Sequence, residues 1–272
     1  MNIFNRIIIS LIAGLIVFNV SSCKKDDTLR YGNVTMGNLV DGKFISDQGN
    51  TFNMVEMNTS VDLKNFRRGI MQCDVLREVG EKEYDVRVTY MDTVFTKAPV
   101  FAEDADADPE KVVEDPIHIE QAWVSGGYLN MYIIFEIQID PFLKDSKHMV
   151  NLVIDDAASE GGKYEFTLRH NAFGETFTVT EEEEKEKLEP QVITRAENPV
   201  TWGFAGSYIS FPIADLMEDE KAEITLNWNS HIITEFAWRA ETEERSAKLS
   251  YSKDSFEHAP LKIRTKASAS IR

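Results

Sequence analysis

The chain is predicted to be all-β, a small barrel of short strands followed by an antiparallel β-sandwich, and three observations predict it. Tyr84, Val86, Val88 and Tyr90 alternate with Asp85, Arg87 and Thr89, the period-two signature of a strand with one buried face. Leu129, Met131, Ile133, Phe135, Ile137 and Ile139 alternate in the same way with Tyr128, Asn130, Glu136 and Gln138, the cleanest such pattern in the chain. Between these runs, 99–115 carries Glu103, Asp104, Asp106, Asp108, Glu110, Glu114 and Asp115 against Lys111 alone, which reads as a solvated acidic linker dividing two units.

Each segment follows in order. Met1 to Arg6 supplies one basic residue and Ile7 to Val20 an apolar run, so 1–22 has the layout of an export signal. At about 1.5 Å per residue that run reaches roughly 21 Å, short of the ~30 Å hydrocarbon core, which favours cleavage over a stable span. The run ends in Val20-Ser21-Ser22-Cys23, similar to the lipobox of bacterial lipoproteins, which implies lipidation of Cys23 and a membrane anchor. A short tether, 23–30, contains Lys24-Lys25-Asp26-Asp27, readable either as a surface-export signal or as an ordinary solvated flank.

From 31 to 98 short apolar stretches are broken by turn residues such as Asp47-Gln-Gly-Asn50, and some five strands there suit a small barrel. From 116 to 253 the strands expected are Tyr128 to Ile139, His148 to Ile154, Tyr164 to His170, Ser207 to Ile213, Ala222 to Ile233 and Ala247 to Tyr251, with a helical turn between Asp215 and Lys221. Glu181 to Glu189 packs six acids and two lysines into a solvated stretch, and 254–272 is a polar tail.

The 29 basic residues against 46 acidic ones give a formal charge of −17, and loss of 1–22 removes only Arg6. Such a field disfavours nucleic acid and polyanions generally. Of the two cysteines, lipidation of Cys23 leaves Cys73 alone, so packed cores and not disulfides must supply stability. Cys73 shares a strand face with Met71 and Val75 and is expected to be a small buried hydrophobe.

Four strings carry a family resemblance. Asp115-Pro-Ile-His-Ile-Glu-Gln-Ala-Trp123-Val-Ser-Gly-Gly-Tyr128-Leu-Asn130, His148-Met-Val-Asn-Leu-Val153, Leu168-Arg-His-Asn-Ala-Phe-Gly174 and Tyr208-Ile-Ser-Phe-Pro-Ile-Ala-Asp-Leu216 closely resemble the NigD-like family of bacterial lipoproteins. The resemblance implies a lipid anchor, an N-terminal OB-type barrel and a C-terminal β-sandwich, with Thr96-Lys97 closing the first unit. It implies an outer-membrane address without choosing the face, and no settled chemistry. The family name adds a link to bacteriocin loci and so to immunity. The chain departs from the family around Glu181 to Pro199, at Phe211-Pro212-Ile213 and in its basic tail.

Candidate chemistry is sparse. Asp104, Asp106, Asp108, Glu110 and Asp115 copy the spacing of a calcium loop, but Pro109 occupies the sixth place, where that loop needs glycine, so no metal is expected. Five scattered histidines offer no zinc-hydrolase spacing, and no nucleophile elbow occurs. No catalytic residue or cofactor is assigned. Arg169, His170 and Asn171 end a strand and could grip an anion or sugar hydroxyl, or else bond a neighbouring loop. Trp123 and Trp228 are expected to pack, while Trp202 and Trp238 lie near loops as open ligand contacts. The expected function is a non-catalytic envelope module docking a protein or glycan. The alternatives are a carboxylate hydrolase acting on surface saccharide or peptide, and an immunity-type accessory protein.

Overall fold

The computed structural model describes residues 29–139, 147–174, 193–195, 198–233 and 238–253. Cys23, the Lys24 to Asp27 run, the Glu181 to Glu189 stretch and the tail lie outside them. The first unit contains β1 (Leu29–Val40), β2 (Lys43–Ser46), β3 (Thr51–Met57), β4 (Arg68–Gly80) and β5 (Glu83–Thr93). They close into a barrel in the order β1-β2-β3-β5-β4, with β3 and β5 parallel. Closure removes every free edge that a five-strand sheet would otherwise expose.

The barrel core is Phe44, Phe52, Phe66, Met71, Cys73, Val86, Val88 and Met91. Each fully buried phenylalanine contributes about 2–3 kcal/mol of transfer free energy. The alternation read in β5 holds through Val88 and then breaks. Val88 pairs with Cys73 and Tyr90 with Gln72, so Thr89 is the extra residue of a β-bulge. The bulge turns Tyr90 outward, 39 % exposed, and puts Met91 into the core at 3 %.

The chain then enters the second unit through β6 (Phe95–Thr96), β7 (Val100–Phe101) and the short helix α1 (Ala102–Asp106). β8 (His118–Ser125), β9 (Tyr128–Ile139), β10 (Met149–Glu160), β11 (Lys163–Asn171), β12 (Ile193–Arg195), β13 (Asn198–Pro212), β14 (Lys221–Ile233) and β15 (Trp238–Ser252) follow. One sheet runs β15-β14-β11-β10-β7; the other runs β12-β13-β9-β8, with β6 added beside β13. Most neighbours are antiparallel, but β11 and β14, β7 and β10, and β6 and β13 run parallel. The helical turn expected after Asp215 is a 3-10 turn, Ala214–Leu216.

Leu129, Met131 and Ile133 of β9 meet Leu152, Phe166, Phe211 and Leu226 in the sandwich core, as the alternation requires. The opposite face of β9 is not simply solvated, because Asn130 is fully buried where the barrel covers it.

The stretch 99–115, expected to be a solvated linker, is packed structure. β7 pairs with β10, Ala105 of α1 is fully buried, and the Asp115 N–H donates to the His170 carbonyl at 2.8 Å. Composition misled because Asp106, Glu114 and Asp115 are held by partners remote in sequence, which a local window does not see.

Candidate functional site

The barrel and sandwich meet at a buried polar centre built on Arg68. Its five N–H donors are all used: two on the Asp47 carboxylate at 2.9 and 2.7 Å, and one each on Asn38 Oδ1 at 3.2 Å, Asn130 Oδ1 at 2.9 Å and Ser210 Oγ at 2.9 Å. Asp47 also accepts from Ser125 Oγ at 2.7 Å, and Ser210 Oγ donates to Asn130 Oδ1 at 2.6 Å. The Tyr128 ring lies 3.8 Å from the guanidinium carbon. Arg68 and Asp47 belong to the barrel and Ser125, Asn130 and Ser210 to the sandwich, so the charge pair of one unit is completed by the other. A Cβ at Gly126 would stand 2.5 Å from Asp47 Oδ1, so only glycine admits the carboxylate there.

Around this centre Val34, Met36, Ile70, Val94 and Trp123 form an apolar collar, with Tyr208 packed on it. From the collar an aromatic ledge runs outward over β9 and β13. Trp123 meets Tyr208 edge-on at 6.4 Å, and Tyr132 lies 4.7 Å from Tyr208. Gly206 leaves room for the Tyr132 hydroxyl, which a Cβ would approach to 2.2 Å. Phe204, two residues on along the same face, is 54 % exposed. The bulge in β5 adds Tyr90 from the barrel, its hydroxyl donating to Asp92 at 3.2 Å. Burial, reinforced by the neighbouring Tyr132 and Tyr90, pushes the Tyr208 phenol up, so that ring stays neutral at ordinary pH.

Arg169, His170 and Asn171 are brought together, and they hold the segment 106–116. Arg169 reaches Asp106 at 2.6 Å and Glu114 at 3.2 Å; Asn171 Nδ2 donates to the Glu110 carbonyl at 3.0 Å. His170 is buried, with Nδ1 3.1 Å from the Pro116 carbonyl and Nε2 3.0 Å from His148 Nδ1. The carbonyl accepts, so Nδ1 of His170 carries the proton and Nε2 accepts from His148. Burial, then the adjacent His148, push His170 down to about 4. Three carboxylates of the calcium-like spacing are engaged elsewhere: Asp106 by Arg169, Asp108 by Lys111 at 2.9 Å, Asp115 by the Ala172 N–H at 2.8 Å. Trp202 and Trp238 have their backbones in β13 and β15, and their side chains lie outside the described residues. Trp123 is buried and Trp228 packs against the sandwich core. Cys73 is 2 % exposed, and burial, aided by Asp74, pushes its thiol up to about 12.

A groove of about 710 Å³ opens over β11, β14 and β15, with Glu114, Glu165, Glu243 and Glu244 in its lining. Elsewhere Glu136 and His231, both buried, stand 3.6 Å apart. Among the described residues no helix is long and apolar enough to cross a membrane.

Sequence reasoning missed the Arg68 centre and the ledge. Asn130 and Ser210 sit on strand positions that alternation assigns to solvent, and nothing local pairs either with Arg68. A signal was present, since the Trp123 to Asn130 and Tyr208 to Leu216 strings supply Ser125, Asn130 and Ser210 to one centre.

The fold and site thus define a two-unit all-β protein, a closed barrel welded to a β-sandwich. Residues 99–183 match the NigD-like C-terminal beta sandwich domain, a likeness that covers the first part of the second unit. Solved structures repeat the arrangement at low identity. A protein of unknown function from Bacteroides vulgatus is 16% identical, with a TM-score of 0.58 over 84% of this chain and 95% of its own. A NigD-like immunity protein from Bacteroides caccae is 17% identical, with a TM-score of 0.54 over 82% and 96%. A candidate lipoprotein from Bacteroides fragilis is 14% identical, with a TM-score of 0.51 over 82% and 98%. At these identities the likeness is one of fold. No curated protein matches the chain.

Proposed function

We propose that this protein is a lipid-anchored, non-catalytic module of the outer membrane that docks a protein or glycan at the cell envelope. The observation that carries the reading is the ledge of Tyr90, Tyr132, Tyr208 and Phe204, an aromatic surface made jointly by barrel and sandwich and held still by the buried centre beneath it. Rigid aromatic side chains with polar tips supply contact area at little entropic cost. The anchor is supported by the lipobox-like Val20-Ser21-Ser22-Cys23, and the envelope address by the candidate lipoprotein of the same fold. The immunity protein of that fold supports an accessory role against a bacteriocin as one form of protein docking.

The test is retention of envelope proteins and arrayed glycans by the full chain in detergent, compared with the Tyr208→Ala variant. Reproducible capture that falls in the variant is expected. Equal capture by both proteins counts against the ledge, and capture of nothing by either counts against docking altogether.

A second reading, hydrolysis by a carboxylate pair, has one favouring observation, the four glutamates of the groove. Turnover of envelope saccharide or peptide, abolished by Glu165→Gln or Glu244→Gln, would establish it.

A further inference from the structure

We propose that the groove over β11, β14 and β15 binds an uncharged oligosaccharide, an inference resting on the docking reading but placing a ligand away from the ledge. Its floor is set by strand alternation. Glu165 and Thr167 of β11 flank Phe166, which is buried in the core, and so face outward. Thr167 pairs with Asn227 of β14, and Asn227 with Ser246 of β15, giving a hydroxyl, an amide and a hydroxyl in one row across three strands. Neighbouring strands stand about 4.8 Å apart, so the row offers polar groups at regular short intervals.

The row is ordered from beside and above. Asn227 Nδ2 donates to Glu165 Oε1 at 2.7 Å, which turns the amide oxygen away and fixes donor and acceptor side by side. One register step on, Asn229 pairs with Glu244, and its Nδ2 donates to the Glu114 carbonyl at 2.9 Å. That bond seats Glu114 at the rim. Vicinal hydroxyls, each both donor and acceptor, match alternating carboxylate, amide and hydroxyl groups.

The same lining disfavours other ligands. A protein partner needs apolar anchors, and the only aromatic residue of the lining among the described residues, Trp228, packs against the sandwich core. Phosphate, sulfate or uronate would meet four carboxylates; the one cation of the lining among the described residues, Arg245, is held by Glu243 at 2.5 Å, and Arg169 beside the rim is held by Glu114 and Asp106. A basic peptide would satisfy the carboxylates and leave the hydroxyl and amide row unused.

The test is calorimetric titration of the full chain, in a detergent without a sugar headgroup, against neutral hexasaccharides of glucose, xylose and mannose. Hexagalacturonate and hexalysine are the charged comparisons. At least one neutral probe is expected to bind. Asn227→Ala should weaken it about tenfold, the effect of one or two lost hydrogen bonds. Ser246→Arg, an exposed change that fills the groove, should abolish binding while the thermal midpoint stays put. Binding of no neutral probe, preference for hexalysine, or wild-type affinity in Ser246→Arg overturns the proposal. If envelope proteins are still captured through the ledge in any of those cases, docking stands and only the groove assignment falls.

Discussion

Arg68 is a buried cation whose every donor is spoken for, and the energetics of such a group are lopsided. Replacing a whole ion pair by apolar groups can be nearly neutral, but removing one partner strands a charge and costs about 3–5 kcal/mol. Asp47→Ala should therefore lower stability by about that amount in chemical denaturation, far more than loss of an exposed pair such as Lys43 with Glu83. A loss under 1 kcal/mol would show that water or a shifted side chain replaces the carboxylate. His170 makes a second residue-scale prediction. Its folded-state value of about 4 lies below the ordinary 6.5, so between those values the unfolded chain holds a proton that the folded chain does not. Its contribution is whole above about pH 6.5 and is lost as pH falls toward 4, amounting to about 3 kcal/mol for this almost fully buried ring. His170→Gln should flatten the fall of stability over that window relative to wild type, whatever its effect at pH 7. Cys73, protonated and buried, should resist a thiol reagent at pH 8 until denaturant is added.

Among the elements, the one with most to lose is the segment containing β7 and α1. It is tied by Arg169, His170 and Asn171 and buries little of its own. Arg169→Met should raise hydrogen exchange across 102–116 while lowering global stability by only about 1 kcal/mol, since the guanidinium is part-exposed and its partners more so. Unchanged exchange there would mean that the Asp115 backbone bond and the Asn171 side-chain bond suffice. Here lies the boundary of what the sequence could disclose. Strands β5, β9 and β11 were legible because alternation is local and needs no partner. The bulge at Thr89 was not, because it is defined by what stands across from it on β4. The order of both sheets was equally hidden, as was the fate of the acids between 99 and 115. The strings that carry the family resemblance turn out to be joints. The first and last supply the Arg68 centre, and the Leu168 to Gly174 string grips the segment before the sandwich.

For the molecule as a whole, the collar and the buried centre make barrel and sandwich a single cooperative body. Heat or denaturant should unfold wild type in one transition, with near-UV and far-UV signals coincident, whereas Asp47→Ala should separate them. At the level of address, Cys23→Ala should move the protein out of the membrane fraction. Continued retention would require another anchor.

One property of the Arg68 centre reaches beyond stability. Ser210, which accepts from Arg68, lies 142 residues further along the chain. A chain that emerges N-terminus first must therefore carry an incompletely satisfied arginine until β13 arrives. Any product ending before that strand leaves the Nε donor of the arginine without its Ser210 acceptor inside an apolar collar. Such a fragment is open to proteolysis in a way the finished chain is not. The junction thus ties the stability of the first unit to the arrival of β13.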